Sequence, residues 1–149
     1  MLNRFETFMT KMNQMNRSIQ LIKNREMEKY GLKGTHVMCL YQLKQHPEGL
    51  TAKDLATLCG EDKAAISRTL CKLESKDMVF FTDVEGKKRY RTTLTLTNQG
   101  MQVCNQISEK IEELLHLQGD EISEQEREIF YKVFTSVADR LQEISNLPA

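Results

Sequence analysis

The stretch Leu50-Thr51-Ala52-Lys53-Asp54-Leu55-Ala56 begins a pair of short helices that decides the fold of this chain. Thr51 is placed to cap a helix N-terminus, and Asp54, three residues later, can return a hydrogen bond to the cap. Gly60 ends that helix, and residues 61–63 open a second one. Two short helices joined by a tight turn predict a helix-turn-helix.

The second helix is followed by a change of sequence period. The apolar residues of its inner face recur at helical spacing, namely Ile66, Leu70 and Leu73. After Asp77 the pattern becomes that of strands, because residues 78–81 are a β-favouring run and residues 91–96 alternate in part. Between them lies a polar tip that contains a glycine, at residues 83–89. The sequence therefore predicts a β-hairpin, or wing, attached to the helix-turn-helix.

Helical patterns flank this segment on both sides. From residue 2 to residue 29, apolar side chains recur every three or four positions, which predicts a helix of about 28 residues, about 42 Å long at 1.5 Å per residue. Because such a helix overhangs a domain of this size, we expect its packing surface in a second subunit. A shorter pattern covers residues 37–43, Thr97 caps a helix after the hairpin, and a capping box at residues 123–126 begins the last helix. The predicted fold is mainly α with a small β-hairpin wing.

Composition excludes several classes of protein. The 149 residues are 40 % hydrophobic and 28 % charged, a mixture that excludes a disordered polyelectrolyte. No apolar run approaches the roughly 18 residues of a membrane span, and residues 1–6 show no basic-then-apolar signal segment. We expect a soluble, cytoplasmic protein that is one compact chain, without a separate second domain and without a membrane partner.

Charge is unevenly distributed although the net charge is zero. Residues 1–46 hold eight basic and three acidic residues, whereas residues 109–149 hold four basic and ten acidic residues. Residues 60–91 hold eight basic and six acidic residues, with the positive charges concentrated at 63–76 and 87–91. A polyanionic partner responds to this local field, which the net charge of the whole chain conceals.

Four motifs follow one another along the chain: Gly31-Leu32-Lys33-Gly34-Thr35-His36, then GLTAKDLA at 49–56, AISRTLCKL at 65–73 and LTLTNQG at 94–100. Together with the long flanking helices, they resemble the MarR-type (multiple antibiotic resistance regulator) family of winged helix-turn-helix transcriptional regulators, over nearly the whole chain. The resemblance implies a homodimer that binds double-stranded DNA. It assigns residues 1–32 and 98–149 to a helical dimerisation region, and residues 33–97 to the winged helix-turn-helix. Many members are repressors that a small-molecule effector releases from DNA.

Two positions depart from the family pattern. A glycine usually follows the recognition helix, whereas this chain has Asp77, a residue type that tolerates the left-handed conformation better than most. The wing usually carries an Asp-x-Arg arrangement, whereas the tip here reads Glu85-Gly86-Lys87-Lys88-Arg89 and is one residue longer. The sequence therefore leaves open which wing cation enters the minor groove.

The expected DNA-binding residues follow from the chemistry of the second helix and the wing. Burial of the inner face leaves five residues outside or at its flank, namely Lys63, Ala64, Ser67, Arg68 and Lys72. Arginine binds guanine with two hydrogen bonds, a small alanine allows close approach, and serine and lysine bind phosphate. Thr51 is placed to offer its hydroxyl, or the free amides of its helix end, to a phosphate. Four wing cations are placed to enter the minor groove or hold the backbone: Lys87, Lys88, Arg89 and Arg91.

No residue pattern indicates an enzyme or a metal site. The three histidines are far apart in sequence, and the chain has neither a phosphate-binding glycine loop nor a nucleophile elbow. We predict no catalytic residue, no metal and no cofactor. The resemblance implies a pocket for a small-molecule effector between the dimer helices and the winged helix. Its candidate residues, whose apolar spacing is equally typical of core, are Met12, Tyr30, His36, Met38 and Leu40.

Two alternatives remain open at this point. A dimer of this fold could be a protein-interaction module without specific DNA binding, although a retained basic face argues for DNA. It could also be a thiol-based redox sensor that uses Cys39 or Cys104. The four cysteines lie beside apolar neighbours and form no C-x-x-C pair, so we predict that all four are small buried side chains.

Overall fold

The computed structural model describes residues 2–82, 86, 92–116 and 121–147. Within these ranges the chain forms six helices and a two-stranded antiparallel sheet, which confirms the predicted fold class. In chain order the elements are α1 (Leu2–Glu28), α2 (His36–Gln45), α3 (Ala52–Cys59), α4 (Lys63–Ser75), β1 (Val79–Phe81), β2 (Leu94–Leu96), α5 (Asn98–His116) and α6 (Glu124–Ser145).

The chain divides into two compact units, residues 1–111 and residues 112–149, and α5 crosses the boundary. Among the described residues of the first unit, one hydrophobic cluster joins its helices to the sheet. Its fully buried side chains include Leu40 and Leu43 from α2, Leu55 from α3, and Leu73 from α4. The predicted inner face of α4 is confirmed, because Ile66, Leu70 and Leu73 are each no more than 2 % exposed.

The sheet connects the hairpin to the helix-turn-helix. β1 and β2 pair antiparallel, with Val79 opposite Leu96 and Phe81 opposite Leu94. Leu50, just before α3, extends this sheet as an isolated bridge to Leu94. The Leu50 amide donates to the Leu94 carbonyl at 3.0 Å, and the Leu94 amide donates back at 2.7 Å. The base of the wing and the start of α3 are therefore held together.

The residues predicted to cap the helices and to end α4 are confirmed. Thr51 and Asp54 form a reciprocal capping box at the start of α3, and Ser123 and Glu126 form another at the start of α6. The Gly100 amide donates to Thr97 Oγ1 at 3.0 Å, which caps α5. Asp77 has a φ of 55°, so it adopts the left-handed conformation expected where the family usually has glycine.

Gly100 has a packing role that the sequence did not reveal. A Cβ atom at this position would lie 2.0 Å from the Met78 carbonyl oxygen, which is backbone and cannot rotate away. The same carbonyl accepts the Thr97 amide at 3.1 Å, so the first turn of α5 lies directly against the end of the α4–β1 connection. Only glycine fits here without a shift of the backbone.

The prediction that all four cysteines are buried was wrong for two of them. Cys39 and Cys104 are buried, but Cys59 is half-buried and Cys71 is exposed. Cys71 lies on the outward face of α4, between the positions of Ser67 and Lys72, where no core surrounds it. Apolar neighbours in the sequence therefore did not indicate burial at these two positions.

Candidate nucleic-acid interface

Local sequence fixes the start of α4, the expected recognition helix. The Asp62 side chain accepts the Ala65 amide at 2.7 Å and caps the helix, while Gly60, with a φ of 64°, turns the chain after α3. Asp and Gly are well suited to these two positions, because one satisfies a free amide and the other adopts the left-handed conformation without strain. The core contacts of the inner face then hold α4 against α3, with its other side in solvent.

The outward face of α4 carries the predicted DNA-binding set. All five members are exposed: Lys63, Ala64, Ser67, Arg68 and Lys72. Arg68 makes no hydrogen bond or ion pair with any other residue that the structure describes. Its guanidinium is thus available to an external acceptor. The short side chains of Ala64 and Ser67 would allow this part of the helix surface to approach DNA closely.

Thr51 is less available to a phosphate than the sequence suggested. Its hydroxyl donates to Asp54 Oδ2 at 2.7 Å and accepts the Asp54 amide at 3.1 Å, so the capping box occupies it. The Thr51 hydroxyl and the Thr51 backbone amide both donate to Asp54 Oδ2, and these two hydrogen bonds hold the pKa of the Asp54 carboxyl below its usual value. Because this carboxylate stays charged at the helix start, a phosphate would have to approach through the backbone amides.

The four predicted wing cations, Lys87, Lys88, Arg89 and Arg91, lie outside the described residues. The structure does describe the base of the hairpin that carries them, from β1 and from Thr92 onward. Thr92 itself is buried. On either side of the tip, the Thr82 amide donates to the Thr93 carbonyl at 2.8 Å. The role of the tip itself remains the sequence-based prediction.

A cavity of about 700 Å³ opens beside the recognition helix. Basic residues from α1, the α1–α2 connection, α2 and α4 line it, namely Lys23, Lys33, His36, Arg68 and Lys72, and Glu61 is the acidic residue among its lining. Lys23 is only 5 % exposed, and burial lowers the pKa of its amine. Burial also lowers the pKa of His36, with further contributions from Lys33 and Lys72. Such a surplus of positive charge in a concave, partly buried site favours an anion.

The five predicted pocket candidates separate into two groups. His36 and Met38 line the cavity, and His36 Nδ1 accepts the Lys33 amide at 3.1 Å. Leu40 is fully buried in the core, and the Tyr30 hydroxyl donates to Gln106 Oε1 at 2.5 Å. Leu40, Tyr30 and Met12 are absent from the cavity lining. Sequence reasoning missed Lys23, because nothing in the helical pattern of residues 2–29 indicates that this lysine side chain is buried.

No three His, Cys, Asp or Glu side chains of the described ranges lie together in a group that could hold a metal ion. None of the helices in the part of the chain that the structure describes is long and apolar enough to cross a membrane.

Residues 30–89 match the family model described as the MarR family. This part of the chain is similar to that family. The match covers α2, α3, α4, β1 and the wing tip, so the resemblance predicted from the sequence motifs is confirmed. No curated protein matches the chain significantly in sequence.

Solved MarR-family structures share the fold beyond these residues. A MarR-family transcription regulator is 18 % identical, with a TM-score of 0.81 over 99 % of this chain and 96 % of that one. A Staphylococcus aureus MarR in complex with salicylate and kanamycin is 16 % identical, with a TM-score of 0.81 over 93 % of this chain and 92 % of that one. A Phe-to-Leu variant of S. aureus MepR bound to an oligodeoxyribonucleotide is 19 % identical, with a TM-score of 0.61 over 90 % and 97 %. The chain therefore has the winged-helix fold of MarR-family transcription regulators.

Proposed function

We propose that this chain is a sequence-specific DNA-binding repressor that acts as a homodimer and is released by a small anionic effector. One observation carries the proposal: α4 buries its apolar side and presents, on its exposed side beside Ala64 and Ser67, an Arg68 that has no partner among the described residues. This combination suits the major groove, where arginine pairs with guanine and small residues permit close approach. The wing cations would add contacts to the backbone or the minor groove.

The apolar surface of α6 supports the homodimer. None of its 22 residues, all of which the structure describes, is buried. Phe130, Val133 and Leu141 are 51 %, 56 % and 49 % exposed although they recur at helical spacing. An amphipathic helix with its apolar side in water is unstable alone, so a second copy of the chain is the proposed cover.

The dimer is tested by measuring mass in solution. Sedimentation equilibrium should give twice the 17.3 kDa of one chain. Phe130→Glu places a charge in the apolar surface and should shift the equilibrium towards monomer. Thr135→Glu introduces the same charge on the opposite side of α6 and should leave the mass unchanged. A wild-type protein that stays monomeric at micromolar concentration would refute the homodimer.

The cavity beside α4 supports effector release. Arg68 and Lys72 belong both to the outward face of α4 and to the cavity lining. An anion in the cavity would therefore compete with DNA for the same cations. The S. aureus MarR complex contains salicylate, an anion of suitable size for a cavity of about 700 Å³. Salicylate is accordingly the first probe to use.

The decisive experiment is a fluorescence-anisotropy titration of the protein with DNA from upstream of its own gene and with a scrambled duplex, at about 0.15 M salt. Nonspecific binding under these conditions is typically micromolar or weaker. We expect nanomolar affinity for a near-palindromic site whose half-site centres lie about one helical turn apart. Arg68→Ala should lower this affinity by about tenfold or more and reduce the preference over the scrambled duplex.

Arg140→Ala is the matched control, because Arg140 lies on α6 in an exposed pair with Glu143 at 3.1 Å. It removes the same charge and should leave DNA binding unchanged. Titration with salicylate should release DNA from the wild type, and less effectively from Lys23→Met, which removes the buried amine of the cavity. Equal, weak binding of both duplexes would favour the protein-interaction alternative.

A further inference from the structure

Two cysteines from different helices lie side by side in the first unit. Cys39 Sγ, in the middle of α2, is 3.8 Å from Cys59 Sγ, at the last residue of α3. A disulfide needs a sulfur–sulfur distance of about 2.05 Å, so the two atoms need to approach by roughly 1.8 Å. Small side-chain rotations and a slight shift of the end of α3 can supply such a movement. Within the described ranges, Cys71 and Cys104 are free thiols and form no hydrogen bond with another cysteine.

The two thiols have different environments, as sequential oxidation requires. Cys39 is only 2 % exposed, whereas Cys59 is half-buried, and both line the cavity beside α4. A small oxidant can therefore reach Cys59 through the cavity. The hydrogen bond between the thiols raises the pKa of Cys39, to which burial also contributes, and lowers the pKa of Cys59. Cys59 is accordingly the better nucleophile, because the thiolate is the reactive form.

We propose that Cys39 and Cys59 form an oxidisable dithiol, with hydrogen peroxide or an organic hydroperoxide as the oxidant, and that its disulfide form binds DNA more weakly. The Cys59 thiolate attacks the O–O bond of the peroxide and becomes a sulfenic acid, and hydroxide or alkoxide leaves and takes up a proton. The Cys39 sulfur then attacks the Cys59 sulfur, its proton leaves with the hydroxyl as water, and the S–S bond forms. Two thiols and one peroxide thus give one disulfide and two molecules of water, or one of water and one of alcohol. The weaker DNA binding of the disulfide form rests on the DNA-binding function proposed above.

The position of Cys59 connects this chemistry to the recognition helix. Cys59 is followed directly by Gly60, the left-handed turn residue between α3 and α4. Apart from its two chain neighbours, no described residue has an atom within 4 Å of the place where a Gly60 Cβ would be, so this side of the turn faces open space. The disulfide would tether the end of α3 to the middle of α2 and thereby displace the start of α4. Bidentate base contacts are sensitive to such a shift, and we expect the affinity for DNA to fall by about tenfold.

Peptide mapping tests the dithiol without any DNA. Trypsin places each cysteine in its own peptide: 34–44 for Cys39, 54–63 for Cys59, 69–72 for Cys71 and 92–110 for Cys104. After treatment with stoichiometric peroxide, alkylation and digestion without reductant, we expect peptides 34–44 and 54–63 linked in one species that dithiothreitol separates. The peptides of Cys71 and Cys104 should carry the alkyl label. A link between any other pair, or four alkylated cysteines, would overturn the proposal.

Anisotropy titrations of the reduced and oxidised protein test the consequence. The ratio of the two dissociation constants should be about ten for the wild type, return to one after dithiothreitol, and be one in Cys59→Ser and in Cys39→Ala. The ratio in Cys71→Ser should remain about ten, because this variant keeps the pair. Equal affinities of the reduced and the fully disulfide-bonded wild type would overturn the effect on DNA. A reduced protein that binds no DNA would instead refute the proposed function, while the mapping still decides the dithiol.

Discussion

The winged helix and α6 differ in the burial of their apolar side chains. In the winged helix, Leu40, Leu55 and Leu94 are 0 % exposed, and each packs in one common cluster. In α6, Phe130 and Leu141 recur with the same regularity but are about half exposed. Both regions begin a helix with a reciprocal capping box, so their local signals are equivalent. The difference shows that helix formation is encoded locally, whereas burial depends on which surface is available to pack against.

The largest effect expected from this comparison is on core leucines. Leu40→Ala should destabilise the protein by about 2–5 kcal/mol, because it removes a fully buried side chain and leaves a cavity. Leu141→Ala, the matched change on α6, should cost less, and under the proposed homodimer, in which a second copy covers α6, its cost should depend on protein concentration. Urea unfolding at several protein concentrations measures both. A concentration-independent cost at Leu141 would argue that α6 is stabilised within its own chain.

A smaller effect is expected where the backbone itself is packed. Gly100→Ala should cost about 1–3 kcal/mol, the range for overpacking, because the new Cβ collides with the Met78 carbonyl. Asn98→Ala, at an exposed position two residues earlier, is the control for a change to alanine in the same helical turn. Thermal and urea unfolding should show a loss for the first variant and little change for the second. Equal stabilities would mean that the first turn of α5 is free to move away from β1.

The smallest effect concerns the two capping boxes. Hydrogen bonds from Thr51 and Ser123 lower the pKa values of the Asp54 and Glu126 carboxyls below their usual values. Because the folded pKa values are the lower ones, the stabilisation is fully present above pH 5 and is lost as the pH falls through them. Both carboxyls are exposed, so solvent screens the effect, and for Asp54 we expect less than about 1 kcal/mol.

Urea unfolding at pH 7 and pH 3 measures this loss. Asp54→Asn should reduce the pH dependence of the wild type and leave the part that comes from Glu126. Thr51→Ala should cost about 1 kcal/mol at pH 7, as is typical for the removal of an N-cap. An unchanged pH dependence in Asp54→Asn would assign the acid sensitivity of the protein to other carboxyls.

The sequence predicted what depends on neighbours along the chain. The inner face of α4, the caps at Thr51, Thr97 and Ser123, and the left-handed Asp77 all follow from spacing and side-chain type. It could not reveal features that join distant residues. The Gly100–Met78 contact, the Cys39–Cys59 pair and the burial of Lys23 in the cavity each require that two segments pack in one particular way.

The candidate site shows the same division. The exposed cations of α4 follow from amphipathic spacing, because burial of three apolar residues dictates what lies opposite. The cavity could not be predicted from amphipathic spacing, since residues from four separate segments between Gln20 and Lys72 line it. Among the five candidates chosen for a pocket, His36 and Met38 line the cavity, and what distinguishes them from Leu40 is the side of α2 on which they lie.

The paired hydrogen bonds between Leu50 and Leu94 make it possible to measure how often the base of the hairpin separates from the start of α3. Each amide donates to the carbonyl of the other residue, across 44 positions of sequence. Neither proton can exchange with deuterium while this bridge is closed, so both become labelled in the same opening event. Their common exchange rate, read by NMR, therefore reports how often the base of the hairpin detaches from the start of α3. A bound operator that contacts both elements would slow the exchange of these two amides together. Its binding could then be detected without any label on the DNA.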